Sequence, residues 1–282
     1  MSVTPAEDGT STAAADGRAR ASYRRLPFGQ RRDEILAAAL MTFATNPDAS
    51  LGDVAEAAGI SRTSIYRYFD TRQELLHAAF RQAGDELVAR VHDMPDGPPS
   101  LILLVGLHNF FDHIEQVQEA FVGFLQAGSS LASEEIRAVA DDVRRRIGAM
   151  VYEALQVTEA TPVFDTTVRS WVAGVESVAT HWLRTRGTAR DELEVLLSSQ
   201  LGIMLVNAAT YDPVIAERVE WWMGVEPSDG PWAMHLQAMA STLNRNLVAQ
   251  TARLIAGSPP EPCAPADRLP AAIDRIHTRL AP

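Results

Sequence analysis

From Ser61 to Arg72 the chain reads SRTSIYRYFDTR, a run dense in hydroxyl and guanidinium groups. Ile65 and Phe69 stand four apart, so a helix through this run buries them together on one face. Arg62, Thr63, Ser64, Tyr66 and Arg67 must then point outward. Such a set suits a polyanion with readable edges, because Arg can grip guanine through two hydrogen bonds while hydroxyls reach phosphate oxygens. Ser61 is placed to cap the helix, and the free N–H groups of that end can also meet a phosphate. By contrast, the sequence contains no Gly-rich phosphate loop, no metal-ligand spacing and no nucleophile in a recognisable setting. No catalytic residue, metal ligand or cofactor is therefore assigned.

The elements that position this run can be read from the residues before it. Residues 30–45 form an expected helix, with Ile35, Ala39 and Phe43 recurring at i+4, and Asn46-Pro47-Asp48 breaks it. Ser50 is a fair N-cap for a short helix through Val54, Ala55 and Ala58, which Gly59 ends in the left-handed conformation. Val54, Ala55, Ala58 and Ile60 join Ile65 and Phe69 in an apolar face that locks the two short helices together. Helix, glycine turn, helix is the helix-turn-helix pattern, whose second helix enters the major groove. Asp70 or Thr71 then caps a longer helix from about residue 73 to 92, closed by Pro95, Gly97, Pro98 and Pro99.

Charge is divided along the chain. The net charge is −11, yet residues 18–72 hold nine arginines against six carboxylates. A mildly basic end thus precedes a strongly acidic body, consistent with one polyanion-binding end. Arg18, Arg20, Arg24 and Arg25 lie in an expected disordered arm, residues 1–25, able to reach the minor groove or phosphates. The longest apolar run, 101–105, is far too short to span a bilayer. The first seventeen residues lack the apolar stretch of a signal peptide, and the single cysteine, Cys263, has no intramolecular partner. A cytoplasmic protein without a membrane partner is expected.

Beyond the proline cluster, helical segments are expected over 100–127, 132–157, 161–186, 189–211, 213–223 and 231–256, with no alternating strand pattern. The fold class is all-α. Segments 161–186 and 189–211 carry long apolar stripes, and Trp171, Val175, Val178, Trp182, Leu197, Leu201 and Met204 are the candidate dimer seam; ordinary core is the alternative. Rings cluster at Phe110, Phe111, Phe121 and Phe124, beside His108 and His113. With Met150 and Tyr152 these make a candidate apolar pocket for a small molecule, again with plain core as the alternative.

Residues 31–92 resemble the DNA-binding domain of the TetR family of transcriptional regulators. The likeness rests on RxxIxxAAxxxF from Arg32 to Phe43, then AxxAGxSxxSxYxYFxTxxEL from Ala55 to Leu75. It implies an N-terminal three-helix DNA-binding domain (26–72) and a larger helical effector-binding and dimerisation domain (73–257), with 73–92 as connector. Residues 258–282 follow as a Pro-rich linker and an amphipathic helix. It implies a recognition helix from Arg62 to Tyr68, with Arg62, Ser64 and Arg67 reading bases and Tyr66 and Tyr68 on phosphates. Ser61 and Thr63 accompany them, and Arg72 stands where the family commonly has a phosphate-binding Lys. Gly52 lies where some relatives place a contacting side chain. The partners implied are double-stranded operator DNA, a hydrophobic or amphipathic effector that releases a repressor, and a second copy of the chain.

Other features carry less. His108 and His113 are five apart and off one helical face, so they make no metal site. Arg144-Arg145-Arg146 reads as a solvated helix face, and Trp221, Trp222 and Trp232 either cap the core or enlarge a dimer. The competing reading is an all-helical enzyme or an interaction protein with an incidental helix-turn-helix.

Overall fold

The computed structural model describes residues 27–118, 122 and 134–242, and over these it is all-helical, with no strand. The N-terminal arm, Phe121, Phe124 and residues 258–282 lie outside the described residues. Ten helices follow in order: α1 (Phe28–Thr45), α2 (Leu51–Ala57), α3 (Arg62–Ile65), α4 (Arg72–His92), α5 (Pro99–Gln116), α6 (Glu134–Ala154), α7 (Pro162–Thr185), α8 (Arg190–Ala208), α9 (Pro213–Val225) and α10 (Pro231–Thr242). None is long and apolar enough to cross a membrane.

Two apolar cores organise them. The first gathers Ile35, Leu36, Ala39 and Phe43 of α1 with Val54, Ala55, Ile60, Ile65 and Phe69, and runs into α4 through Leu75 and Ala79. A boundary at residue 72 would therefore cut this core, because the first turns of α4 complete it. The second core joins α5, α6, α7 and α8, with Trp222 of α9 and Trp232 of α10 closing one end. Helix α4 belongs to both: it packs on α1 at its start and on α5 and α6 further along. The two helices α4 and α6 approach closely at Gly84, where a Cβ would fall 2.6 Å from Val143 Cγ2 of α6. No larger residue fits there unless the Val143 side chain shifts.

Side-chain bonds fix the ends of these helices. Thr71, and not Asp70, caps α4, its Oγ1 accepting from Glu74 N at 3.1 Å. Thr161 caps α7 and its hydroxyl bonds Asp212, which in turn caps α9 by accepting from Val214 N at 2.9 Å. The start of α7 is thereby tied to the start of α9. Trp222 and Trp232 cap the core: both are buried, their rings are 5.4 Å apart, and Trp232 lies over Gly202 of α8.

The dimer stripe expected from the sequence lies mostly within the protomer's own core. Trp171, Val175, Trp182, Leu197 and Leu201 are buried inside the single chain, and Val178 and Met204 are half-buried against the same core. Trp171 Nε1 donates to Leu197 O at 2.8 Å, so α7 and α8 lock to each other within one protomer. The five buried side chains of the stripe therefore have little surface left to offer a second copy. The outward face of α8 carries other apolar residues, Val195, Leu196, Ile203 and Val206, each more than 40% exposed.

Candidate nucleic-acid interface

Helices α2 and α3 owe their mutual angle to one turn. At Ser50, Oγ accepts from Asp53 N at 3.3 Å while Ser50 N donates to Asp53 Oδ2 at 2.8 Å, a reciprocal capping box. The bonds that Asp53 Oδ2 accepts from Ser50 N and from the Ser50 hydroxyl, chiefly, hold the carboxyl below its usual range, and Arg62 adds a smaller pull in the same direction. Gly59 ends α2 with φ +65°, a conformation that an L side chain resists. Ser61 then caps α3, accepting from Ser64 N at 3.1 Å, and its hydroxyl touches those of Ser64 at 2.7 Å and Thr63 at 3.1 Å. Three hydroxyls thus crowd one helix end.

Burial of Ile65 and Phe69 sets which side faces out. Ser61, Arg62, Thr63 and Arg67 are exposed, Tyr66 is 57% exposed, and Ser64 is half-buried. The α-helical part is shorter than expected. It ends at Ile65, and Tyr66 to Tyr68 continue as tight turns, with Arg67 N donating to Ser64 O and Tyr68 N to Ile65 O. The surface they present is nonetheless continuous from Ser61 to Arg67.

Two residues have other partners. Arg72 donates from Nε to Ala49 O at 2.8 Å, bonds Pro47 O as well, and lays its guanidinium over the Phe43 ring at 5.0 Å. Arg72 thereby fastens the loop between α1 and α2 to the start of α4, a structural role beside the phosphate contact expected of it. Tyr68 is half-buried, its ring stacked on Phe28 at 4.5 Å. Spacing alone does not reveal either contact, because both partners lie far away in sequence.

The structure also shows a pairing that motif matching missed. A Cβ on Gly52 would stand 3.1 Å from Arg62 Nε and 3.3 Å from Cζ. The guanidinium leans over the gap that glycine leaves in α2. Gly52 therefore acts by being small, setting where Arg62 projects.

Of the residues expected around a pocket, Phe110 and Met150 line a cavity of about 100 Å³ between α4, α5, α6 and α7. His113 lines it too, whereas Phe111, Tyr152 and His108 do not. Phe111 is fully buried against Trp182, with ring centroids 5.3 Å apart. Tyr152 turns to α7, donating to Asp165 Oδ1 at 3.0 Å; burial, chiefly, pushes its phenol up to about 12. His108 joins a charged network on the far side of α5. There its Nδ1 lies 3.2 Å from the buried Glu194, and Arg190 reaches Asp112, Glu115 and Glu194.

Apolar side chains dominate the cavity wall, and its two titratable members are His113 and Glu176. Burial pushes the His113 imidazole below its usual range, with Glu86 opposing and Arg90 assisting. Burial pushes Glu176 up, although Arg144 Nε donates to both its oxygens at 3.0 Å. Glu176 was legible as a carboxylate on the apolar stripe of α7, next to Val175. The solvated arginine run is ion-paired, Arg144 with Glu176 and Asp141, Arg145 with Asp142, and Arg146 with Asp85.

Comparison with known proteins adds the following. Residues 35–79 match the family of bacterial regulatory proteins, tetR family, and residues 99–204 match the tetracyclin repressor-like C-terminal domain. The HTH-type transcriptional repressor LfrR of Mycolicibacterium smegmatis is 41% identical over 69 residues, which is 24% of this chain and 36% of that protein. An uncharacterized HTH-type transcriptional regulator of Mycobacterium tuberculosis is 38% identical over 81 residues, 27% of this chain and 39% of its own. The chain thus matches little more than a third of the length of these curated relatives. A tetR-family transcriptional regulator from Streptomyces coelicolor superimposes with TM-score 0.70 at 29% identity, covering 77% of this chain and 98% of the other.

Proposed function

The chain belongs to the TetR family of transcriptional regulators, and from that premise we propose that it is a sequence-specific repressor, bound to operator DNA as a homodimer and released by a small hydrophobic or amphipathic effector. The observation that carries the reading is the face of α3 and its following turn. Ile65 and Phe69 are buried, and Ser61, Arg62, Thr63, Tyr66 and Arg67 are turned to solvent on the N-terminal, more basic end of an acidic protein. Arg62 and Arg67 are the base readers, the hydroxyls of Ser61, Thr63, Ser64 and Tyr66 hold phosphates, and Tyr68 positions the turn. The matched relatives are regulators, which favours this reading over the enzyme alternative.

One half-site offers few base contacts, so useful specificity needs a second reading head on the same face of the duplex. We place the dimer seam on the outward side of α8, at Leu196, Ile203 and Val206. The cavity among α4 to α7 is the effector chamber. Leu40 of α1 also reaches its wall, and α4 runs from the chamber to the reading head. A ligand that favours one setting of α4 therefore changes head spacing by its differential affinity for the two states.

A mobility-shift titration against the DNA flanking the gene tests the proposal. Wild type is expected to bind one segment selectively, with affinity falling as salt rises. R62E/R67E, which changes exposed side chains alone, is expected to lose that selectivity while keeping its thermal stability. Selective binding by the variant would refute the assignment.

A further inference from the structure

A second, wider cavity of about 510 Å³ opens beside the effector chamber, bounded by the loop between α4 and α5, the end of α6 and α9. The two cavities share Met94, Ile102, Met150 and Ala154 as lining residues. The outer space is therefore the mouth of the inner one, and Trp221 and Val225 of α9 form part of its rim. Their electrical characters differ. Inside, Glu176 is matched by Arg144, and burial favours the neutral imidazole of His113. The chamber wall is thus mostly apolar, with its one carboxylate paired. At the mouth stand the exposed carboxylates of Asp96 and Glu153, with His92 the basic group facing them and Gln156 nearby. Neither carboxylate has a side-chain partner among the described residues.

An apolar chamber with an acidic mouth selects a ligand with the matching division. We propose that chamber and mouth form one site for an amphipathic organic cation, its apolar part seated between α4 and α7 and its positive end held by Asp96 and Glu153. An anionic amphipath of equal length meets repulsion at the same place, and a neutral one gains the apolar contacts alone. The inference rests on the chamber being the effector site and adds the class of effector.

Calorimetric titration of the full chain without DNA tests it, using octyltrimethylammonium, octyl sulfate and octanol at low salt. The cation is expected to bind about tenfold more tightly than the sulfate, the scale of one extra favourable charge contact at a solvated rim. D96N/E153Q should erase that preference and leave octanol binding unchanged, because both residues lie at the surface. M150W, at the wall common to both cavities, should weaken all three. Equal or tighter sulfate binding, a preference surviving D96N/E153Q, or no uptake of octanol each overturns the proposal. Operator binding by the ligand-free protein is scored separately by mobility shift. Loss of the regulator reading and loss of the cation site are thus distinct results.

Discussion

Gly52 and Arg62 show how a residue without a side chain can direct one that has a long one. The guanidinium lies where a Cβ on residue 52 would press it, so Gly52→Ala is expected to displace it by a few tenths of an ångström. Within α2 the same change should raise stability by up to about 1 kcal/mol, since Ala is a better helix former than Gly. Thermal melts and operator affinity measured together separate the effects: a more stable protein with altered affinity is expected. His113 makes a second prediction. Its folded pKa is depressed, so the folded state holds fewer protons than the unfolded one below the ordinary range of 6.5. Stability from this group is complete above that value and is lost as pH falls through the window beneath it. His113→Leu should flatten the decline in melting temperature between neutral and mildly acid pH, and an unchanged slope would count against burial as the cause.

Among the elements, the turn at Gly59 and the crossing at Gly84 are the positions least able to change. Gly59→Ala forces an L side chain into φ +65°, with an expected cost of about 1 kcal/mol. The strain falls on the angle between α2 and α3, so operator affinity should drop with stability. Gly84→Val instead drives side-chain atoms into Val143 and parts α4 from α6. Overpacking of this kind costs about 1–3 kcal/mol, which chemical denaturation would register. Because α4 also bounds the chamber and completes the first core, effector response should change in the same variant. A melt identical to wild type would show that α4 has slack at this point.

For the whole molecule, the question is which surface meets the second copy. Trp171 and Trp182 are fastened inside one protomer, their indole N–H groups donating to Leu197 O and Thr188 O. Substituting them tests the core and says nothing about assembly. Leu196 and Ile203 are 46% and 44% exposed on the outer face of α8. L196E/I203E should therefore yield a folded monomer by analytical ultracentrifugation, with weakened operator binding, because each monomer presents one reading head. A dimer persisting in that variant would move the seam elsewhere.

Patterns local to a few turns were decided by the sequence alone: the caps at Ser50 and Ser61, the left-handed Gly59, the buried pair Ile65 and Phe69, and hence the outward run from Arg62 to Arg67. Each depends on neighbours within about four residues, where helix geometry leaves little choice. Tertiary structure alone assigned Arg72 to the loop carbonyls, Tyr152 to Asp165 and His108 to the network around Arg190, since those partners come from other helices. It also turned the stripes of α7 and α8 inward. An apolar stripe says that a face must leave water, whereas only the packed chain shows whether its own helices or a second copy provide the cover.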